Sequence, residues 1–237
     1  MPLETIKVQD LDAVIQRAAN GIEQVLRSAR QGSGLYQDGM ARIVLTGGGA
    51  GIGTLQELAR RGTDISNAHF FFGDERNVPS EHPDSNEGQA RAALLEAAEI
   101  PEAQIHGMQL DGSAMQEAAD AYEQAIKEFA PDGFDLHLLG MGGEGHINSL
   151  FPESSATAER ERLVCPVEDS PKPPAQRVTL TLPAVALAQR VWLLVAGEEK
   201  AEAVRMLQAA VSPDQCPAAG AHGREETLLI VAENACT

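Results

Sequence analysis

His146 stands inside a stretch that reads FDLHLLGMGGEGHINSLFP over residues 134–152. A histidine titrates near neutral pH, so one delivered by a glycine turn to the end of an apolar run is a candidate base or proton shuttle. The run at 134–139 has the pattern of a strand buried in a sheet. Gly140, Gly142, Gly143 and Gly145 follow and leave amide N–H groups uncovered by side chains. Those donors, Gly143 among them, are placed to stabilise an oxyanion. The plain alternative for His146 is a helix cap or a surface residue.

Three other segments carry charge or glycine directly after an apolar run. Residues 41–45 (ARIVL) read as a short buried strand, followed by Thr46, Gly47, Gly48, Gly49, Ala50, Gly51 and a helical face through Leu55, Leu58 and Ala59. Strand, glycine loop and helix N-terminus together make a phosphate cradle. The loop has neither the closing Lys-Ser/Thr of a P-loop nor dinucleotide spacing. Residues 68–72 (AHFFF) read as a strand that ends in Gly73, Asp74, Glu75 and Arg76. An acid and an arginine in one strand mouth suit proton chemistry and anion clamping, the alternative being a surface salt-bridge cluster. Residues 190–196 (RVWLLVA) form a buried strand, after which Lys200 stands near a helix start, where its charge opposes the dipole unless it binds an anion.

These residues need a frame. An amphipathic helix is expected over residues 10–30, a capped helix over about 87–98 and another over 113–130. Residues 153–161 read as an exposed connector, 164–167 as a short strand, 170–174 (SPKPP) as a stiff loop, 177–182 as a strand, 211–223 as a loop and 226–232 as a last strand. Strands alternate with helices, which predicts a single α/β domain with a largely parallel sheet over residues 1–237. In such a sheet the carboxyl ends of the strands share one edge. The loops at 46–53, 73–76, 140–146 and 197–200 are therefore expected to converge on one cleft.

Composition narrows the partner. The chain of 237 residues carries 18 Lys plus Arg against 35 Asp plus Glu, a net charge of −17, with 4% aromatics. That balance repels nucleic acid and anionic lipid, and an anionic substrate needs a local cationic pocket. The three cysteines, Cys165, Cys216 and Cys236, lie far apart, which argues against a disulfide framework or zinc site and for a reducing cytoplasm. No signal sequence and no run long enough to span a membrane is visible.

With these residues assembled, the chain resembles the 6-phosphogluconolactonase family. The likeness runs over residues 10–232 and is carried by LTGGG at 45–49, FFGDERNVPSEHPDSN at 71–86, FDLHLLGMGGEGHINSLFPES at 134–154, PKPPAQRVTLTLPA at 171–184 and RVWLLVAGEEKAEAV at 190–204. The resemblance implies a Rossmann-like sheet flanked by helices, similar to glucosamine-6-phosphate deaminase and ribose-5-phosphate isomerase. It implies hydrolysis of 6-phospho-D-glucono-1,5-lactone to 6-phosphogluconate in the oxidative pentose phosphate pathway, with no organic cofactor and no catalytic metal. His146 and Asp74 match the catalytic histidine and acid, and Arg76 and Lys200 the phosphate-binding cations. The family's hydroxyl-bearing glycine loop is all glycine and alanine at 47–51 here, so backbone contacts remain and hydroxyl contacts do not. The acid before the histidine is Glu144 rather than Asp.

The expected mechanism has His146 deprotonate water as it attacks the lactone carbonyl, with backbone N–H groups near 142–146 receiving the oxyanion. Gly47, Gly48, Gly49, Arg76, Lys200 and Arg177 as a third cation are expected to hold the phosphate. His69 and His137 read as core or edge residues, and His82, His106 and His222 as loop residues without ligand spacing. Ser149 lies outside any nucleophile-elbow sequence. The rivals are an isomerase or deaminase on the same fold and a non-catalytic sugar-phosphate sensor. The expected partner is a small phosphorylated sugar lactone, bound by a monomer or weak homodimer.

Overall fold

The computed structural model describes residues 2–112 and 114–236. Seven parallel strands form the central sheet: β1 (Glu4–Val8), β2 (Ala41–Leu45), β3 (Ala68–Phe72), β5 (Ile105–His106), β6 (Leu136–Gly140), β9 (Arg190–Val195) and β10 (Glu226–Ala232). Their order across the sheet is β1-β10-β9-β6-β2-β3-β5. A second, antiparallel sheet has the order β4-β8-β7 and consists of β4 (Asp74–Arg76), β7 (Val164–Val167) and β8 (Arg177–Leu180). The largely parallel α/β sheet expected from the sequence is present. The strands at 41–45, 68–72, 164–167 and 226–232 have the expected bounds.

Parallel strands covered on both faces must be largely apolar, and every residue of β2 is buried, its one charged residue, Arg42, being paired with Asp38. One core layer packs α1 (Leu11–Arg30) and α2 (Gly48–Arg61) on the sheet through Val14, Ile22, Leu55, Leu58, Phe70, Phe72 and Trp192. The other lies beneath the short sheet and α4 (Met115–Phe129) and contains Phe71, Tyr122, Phe134, Leu139, Val178 and Leu180. Alternate residues of one strand therefore feed opposite layers, as the period of two demands.

The helix expected from about 87 is α3 (Asn86–Ala90) continuing into a π-helical turn, Arg91–Leu95. Ser113, where the sequence reading started the third helix, lies outside the described residues; α4 begins at Met115. The connector expected at 153–161 holds a short helix, α5 (Ser155–Ala158), whose Ala156 and Thr157 are buried. The next helix, α6 (Leu182–Val185), begins at Leu182 with Pro183 in its first turn, and α7 (Ala201–Gln208) follows β9. His106, read as a loop residue, is buried in β5 and stacks on Phe71 and Phe129, at 4.5 and 4.4 Å. Its Nε2 lies 2.9 Å from His69 Nδ1, so the two rings complete one another within the core edge.

Chain order runs outward from the centre in two directions: β2, β3 and β5 to one side, β6, β9 and β10 to the other. The switch falls between β2 and β6, and in open α/β sheets the crevice for a ligand opens at that point, beyond the carboxyl ends of the strands. Gly140 N–H donates to Thr46 Oγ1 across it at 3.0 Å, tying the two loop bases together.

Candidate active site

A cleft of about 360 Å³ opens above the switch point. Its walls include Gly47, Gly48, Gly49, Asp74, Arg76, Gly143, His146, Arg177 and Lys200. Every site residue expected from the sequence is thus brought to one hollow. Asn86, Asn148 and Lys172 line it as well and were not singled out from the sequence.

The glycine stretch after β2 is already the first turn of α2. Gly47 is its N-cap and no side chain caps it, so the first-turn N–H groups remain available at the cleft. Across from it, β4 carries Asp74, Glu75 and Arg76. The three charges do not form a surface cluster: Asp74 is 8% exposed and Glu75 is 4% exposed. Glu75 accepts from Ser85 Oγ, Asn86 N–H and Glu87 N–H at 2.8–2.9 Å, and so fastens the start of α3. Burial raises its carboxyl above the usual range against those hydrogen bonds.

Asn86, fixed in this way, serves two neighbours. Its Nδ2 donates to Asp74 Oδ1 at 3.1 Å, and its Oδ1 accepts from Arg76 Nη1 at 2.7 Å. Arg76 also donates to the Asp84 carbonyl at 2.9 Å, while its Nε is buried without a partner among the described residues. Asp74 Oδ2 accepts from Ser149 Oγ at 2.6 Å. Lys200 is the N-cap residue of α7 and no ion pair engages it among the described residues. Burial pulls its pKa down, and Glu199 opposes that.

Arg177 lines the cleft, but the protein itself engages its donors. It is 4% exposed and its donors are committed: Nε to the Pro174 carbonyl at 3.0 Å, Nη2 to the Lys172 carbonyl at 2.9 Å, Nη1 toward Ser149 Oγ at 3.4 Å. Asp74 Oδ2 lies 3.9 Å from Nη1. The reason is topological. β8 pairs with β4 and β7, which sets Arg177 in the cleft wall beneath the loop at 170–174, with its donors turned toward that loop. The guanidinium holds the loop that presents Lys172.

His146 is set by its own turn. A Cβ on Gly142 would come within 2.0 Å of His146 Nδ1, so glycine is what allows the ring to fold back over the loop. Gly145 takes φ +84°, in the left-handed region that favours glycine. Gly142 N–H donates to the His146 carbonyl and Gly145 N–H to the Gly142 carbonyl, both at 3.0 Å. The oxyanion donors expected across 142–146 therefore narrow, because two of the amides close the turn itself. Gly143 remains on the cleft wall. The imidazole stacks on Phe151 at 4.6 Å. Its Nδ1 lies 3.2 Å from Glu144 Oε1, and Lys172 Nζ lies 2.9 Å from the same oxygen.

Burial holds the His146 pKa below its ordinary value of 6.5, with Lys172 acting in the same direction and Glu144 against it. Burial pushes Glu144 upward, but the Lys172 hydrogen bond, its own backbone amide and His146 overcome this and hold it at about 2. At neutral pH the site thus holds a carboxylate and a neutral imidazole. A Nδ1–H donated to Glu144 leaves Nε2 with its lone pair, which is the form a base requires.

Comparison with known proteins gives the family of the chain. The model of the family described as Glucosamine-6-phosphate isomerases/6-phosphogluconolactonase matches residues 9–230. The chain is 48% identical over 206 residues to the 6-phosphogluconolactonase of Mycobacterium leprae (strain TN), covering 82% of this chain and 83% of the relative. The fold superposes on the crystal structure of 6-phosphogluconolactonase from Thermotoga maritima with a TM-score of 0.83 at 28% identity, covering 98% of this chain and 100% of that one. A monomeric glucosamine-6-phosphate deaminase shares the fold at a TM-score of 0.82 and 21% identity, covering 98% of each chain.

Proposed function

Because the chain belongs to the glucosamine-6-phosphate isomerase/6-phosphogluconolactonase family, we propose that it hydrolyses 6-phospho-D-glucono-1,5-lactone to 6-phospho-D-gluconate in the oxidative pentose phosphate pathway. The observation that carries this reading is the shared hollow. A neutral imidazole backed by a carboxylate faces the same 360 Å³ space as a helix N-terminus, Arg76 and Lys200. A small ring with an ester carbonyl at one end and a phosphate at the other matches both.

The reaction follows from those groups. The N–H groups of Gly48 and Gly49, with Gly47 allowing the approach, together with the Arg76 guanidinium and Lys200, hold the phosphate. Binding energy from that end positions the carbonyl carbon. His146 Nε2 takes a proton from water as the water oxygen bonds to the carbonyl carbon. A general base of this kind contributes typically ~10²–10⁴-fold. Gly143 N–H receives the oxyanion. The bond to the ring oxygen then breaks, and that oxygen leaves as the hydroxyl by taking the proton from the imidazolium. Asp74, held by Ser149 and Asn86, supports the arginine end of the cleft. Arg177 buttresses the Lys172 loop.

The three cysteines are free, which supports a reducing, cytoplasmic setting. No helix among the described residues is long and apolar enough to cross a membrane.

The test is a coupled assay on freshly made lactone with spontaneous hydrolysis subtracted. His146→Ala is expected to lose ~10²-fold or more in kcat while phosphate still binds. Wild-type turnover in that variant removes His146 as the base. Ammonia release from glucosamine-6-phosphate, with no lactone turnover, moves the chain to the other activity of its family.

A further inference from the structure

A carboxylate beside a catalytic imidazole has two opposed effects. It fixes the tautomer, because Nδ1–H donates to it and Nε2 is left bare. It also stabilises the imidazolium, which fills Nε2 with a proton near neutral pH and disables the base. Glu144, at 3.2 Å from His146 Nδ1, does both. Lys172 Nζ reaches both oxygens of that carboxylate, at 2.9 and 3.1 Å, and lies 3.4 Å from His146 Nδ1. We propose that Lys172 is a positioning residue: by pairing with Glu144 it lets the carboxylate orient His146 while cancelling the charge that would otherwise protonate the ring. This rests on the reading of His146 as the base.

The placement of Lys172 is built. Its backbone carbonyl accepts from Arg177 Nη2 at 2.9 Å, the Pro174 carbonyl accepts from Arg177 Nε at 3.0 Å, and Ser170 Oγ donates to the same Lys172 carbonyl at 3.0 Å. A clamped backbone leaves less freedom to lose when the ion pair forms. The side chain is 47% exposed, so the charge is screened in part and its effect is moderate.

Every charged or titratable neighbour of the ring enters the balance. Glu144 comes from its own loop and Lys172 from the 170–174 loop. Asp74 acts from β4 and favours the charged ring, as Glu144 does. Phe151 stacks on the imidazole, with the Arg177 guanidinium 5.9 Å from that phenyl ring on its own account. Glu199 and Lys200 share the cleft from the turn after β9. Cys216 packs behind Gly145, its thiol pushed up by burial and so uncharged. Of these, Lys172 is the cation in contact with both the carboxylate and the ring.

The test uses Lys172→Met, which keeps the length of the side chain and removes its charge, beside Lys172→Arg, which keeps the charge. Nitrogen NMR of the histidine rings reads the tautomer and titration of His146 directly, with its signals assigned by their loss in His146→Gln. In the unaltered protein the neutral ring is expected to carry its proton on Nδ1 and to titrate below 6.5. In Lys172→Met the titration is expected to rise by about half a unit to one unit, and Lys172→Arg to restore most of it. The acidic limb of kcat/KM for the lactone should move by the same amount. One unit below the limb the loss is then about 3- to 10-fold, against less than about twofold at pH 8. An unmoved titration and limb overturn the proposal, as does a rise in KM equal at every pH, which would make Lys172 a substrate ligand. Absent lactone turnover with the titration still shifted overturns the functional reading and leaves the electrostatic arrangement standing; turnover with no shift removes the arrangement alone.

Discussion

Ser149 Oγ lies 2.6 Å from Asp74 Oδ2, and both residues are buried. The serine three places after His146 is thereby turned toward a carboxylate of another sheet, and the carboxylate is occupied. Ser149→Ala is expected to cost about 1–3 kcal/mol of stability, the penalty for leaving a buried acceptor short of a partner. Turnover should stay within about tenfold of the parent, because the hydroxyl supports Asp74 and attacks nothing. Urea unfolding and steady-state kinetics on one preparation check both halves. Loss of nearly all turnover in a variant that remains folded would point to a covalent serine intermediate instead.

Arg76 lines the cleft and is aimed by Asn86 and the Asp84 carbonyl. Removing it takes away binding at the end of the substrate that does not react. Arg76→Ala is therefore expected to raise KM by about 10- to 100-fold with a smaller change in kcat, the pattern of lost ground-state binding. Asn86→Ala should shift KM in the same direction by less, since the arginine loses its aim and keeps its charge. Calorimetric titration with inorganic phosphate gives the same ranking without chemistry. Equal KM values in all three proteins would take Arg76 out of the clamp.

Arg177 holds two carbonyls of the 170–174 loop and faces Asp74 while 4% exposed. Arg177→Lys keeps the charge and cannot span those carbonyls. It is expected to lose about 2–4 kcal/mol of stability by the cost of a broken buried polar network. Amide exchange should quicken across residues 168–176 ahead of the rest of the chain. Exchange that stays unchanged there would show that the loop holds itself.

Acid should weaken the fold through its histidines. Burial lowers His106 to about 4 and His137 to about 3, and it lowers His146 as well. Each of these folded-state values lies below the unfolded value of 6.5, so the unfolded chain binds more protons as pH falls. Their contribution is complete above 6.5 and is lost progressively through about 4 for His106 and about 3 for His137. Glu144, held at about 2, keeps its contribution above 4.5 and loses it only as pH falls through 2. The urea midpoint is expected to be level between pH 7 and 8 and to fall below 6.5. Among the described residues neither ring nitrogen of His137 has a partner at full hydrogen-bond geometry, and the Asn148 side chain beside it offsets its burial only in part, so His137→Leu should flatten the decline and hold or raise stability at pH 5. A steeper decline in that variant would mean that the ring is satisfied in solution.

Local pattern made much of the frame legible. β2 and β3 have the bounds that their apolar runs indicate, because a buried parallel strand must be largely apolar along its length, and β7, in the antiparallel sheet, ends where its short apolar run ends. β4 was not legible: Asp74, Glu75 and Arg76 have no apolar residue among them, and they form a strand only because β8 supplies the partner edge. β5, two residues long, is held by β3 in the same way. Asn86 and Lys172 carried weak signals, one in a cap sequence and one as a cation inside a proline-stiffened loop. The functional weight of each comes from a contact made across the chain.

By itself the sequence determined where the long buried strands lie to within a residue or two, which turns are rich in glycine and which residue types stand at the strand ends, while the strand expected over 177–182 stops at Leu180 because Leu182 enters α6. These are short-range properties of backbone freedom and side-chain polarity. Only the tertiary structure decided which of those groups are free to act. Gly142 N–H is spent closing its own turn, Arg177 is spent on a loop, and Lys172 meets Glu144 from 28 residues away. Hydrogen bonds and ion pairs fall off within a few ångströms, so a donor's availability depends on what the fold sets beside it, and chain order does not carry that information.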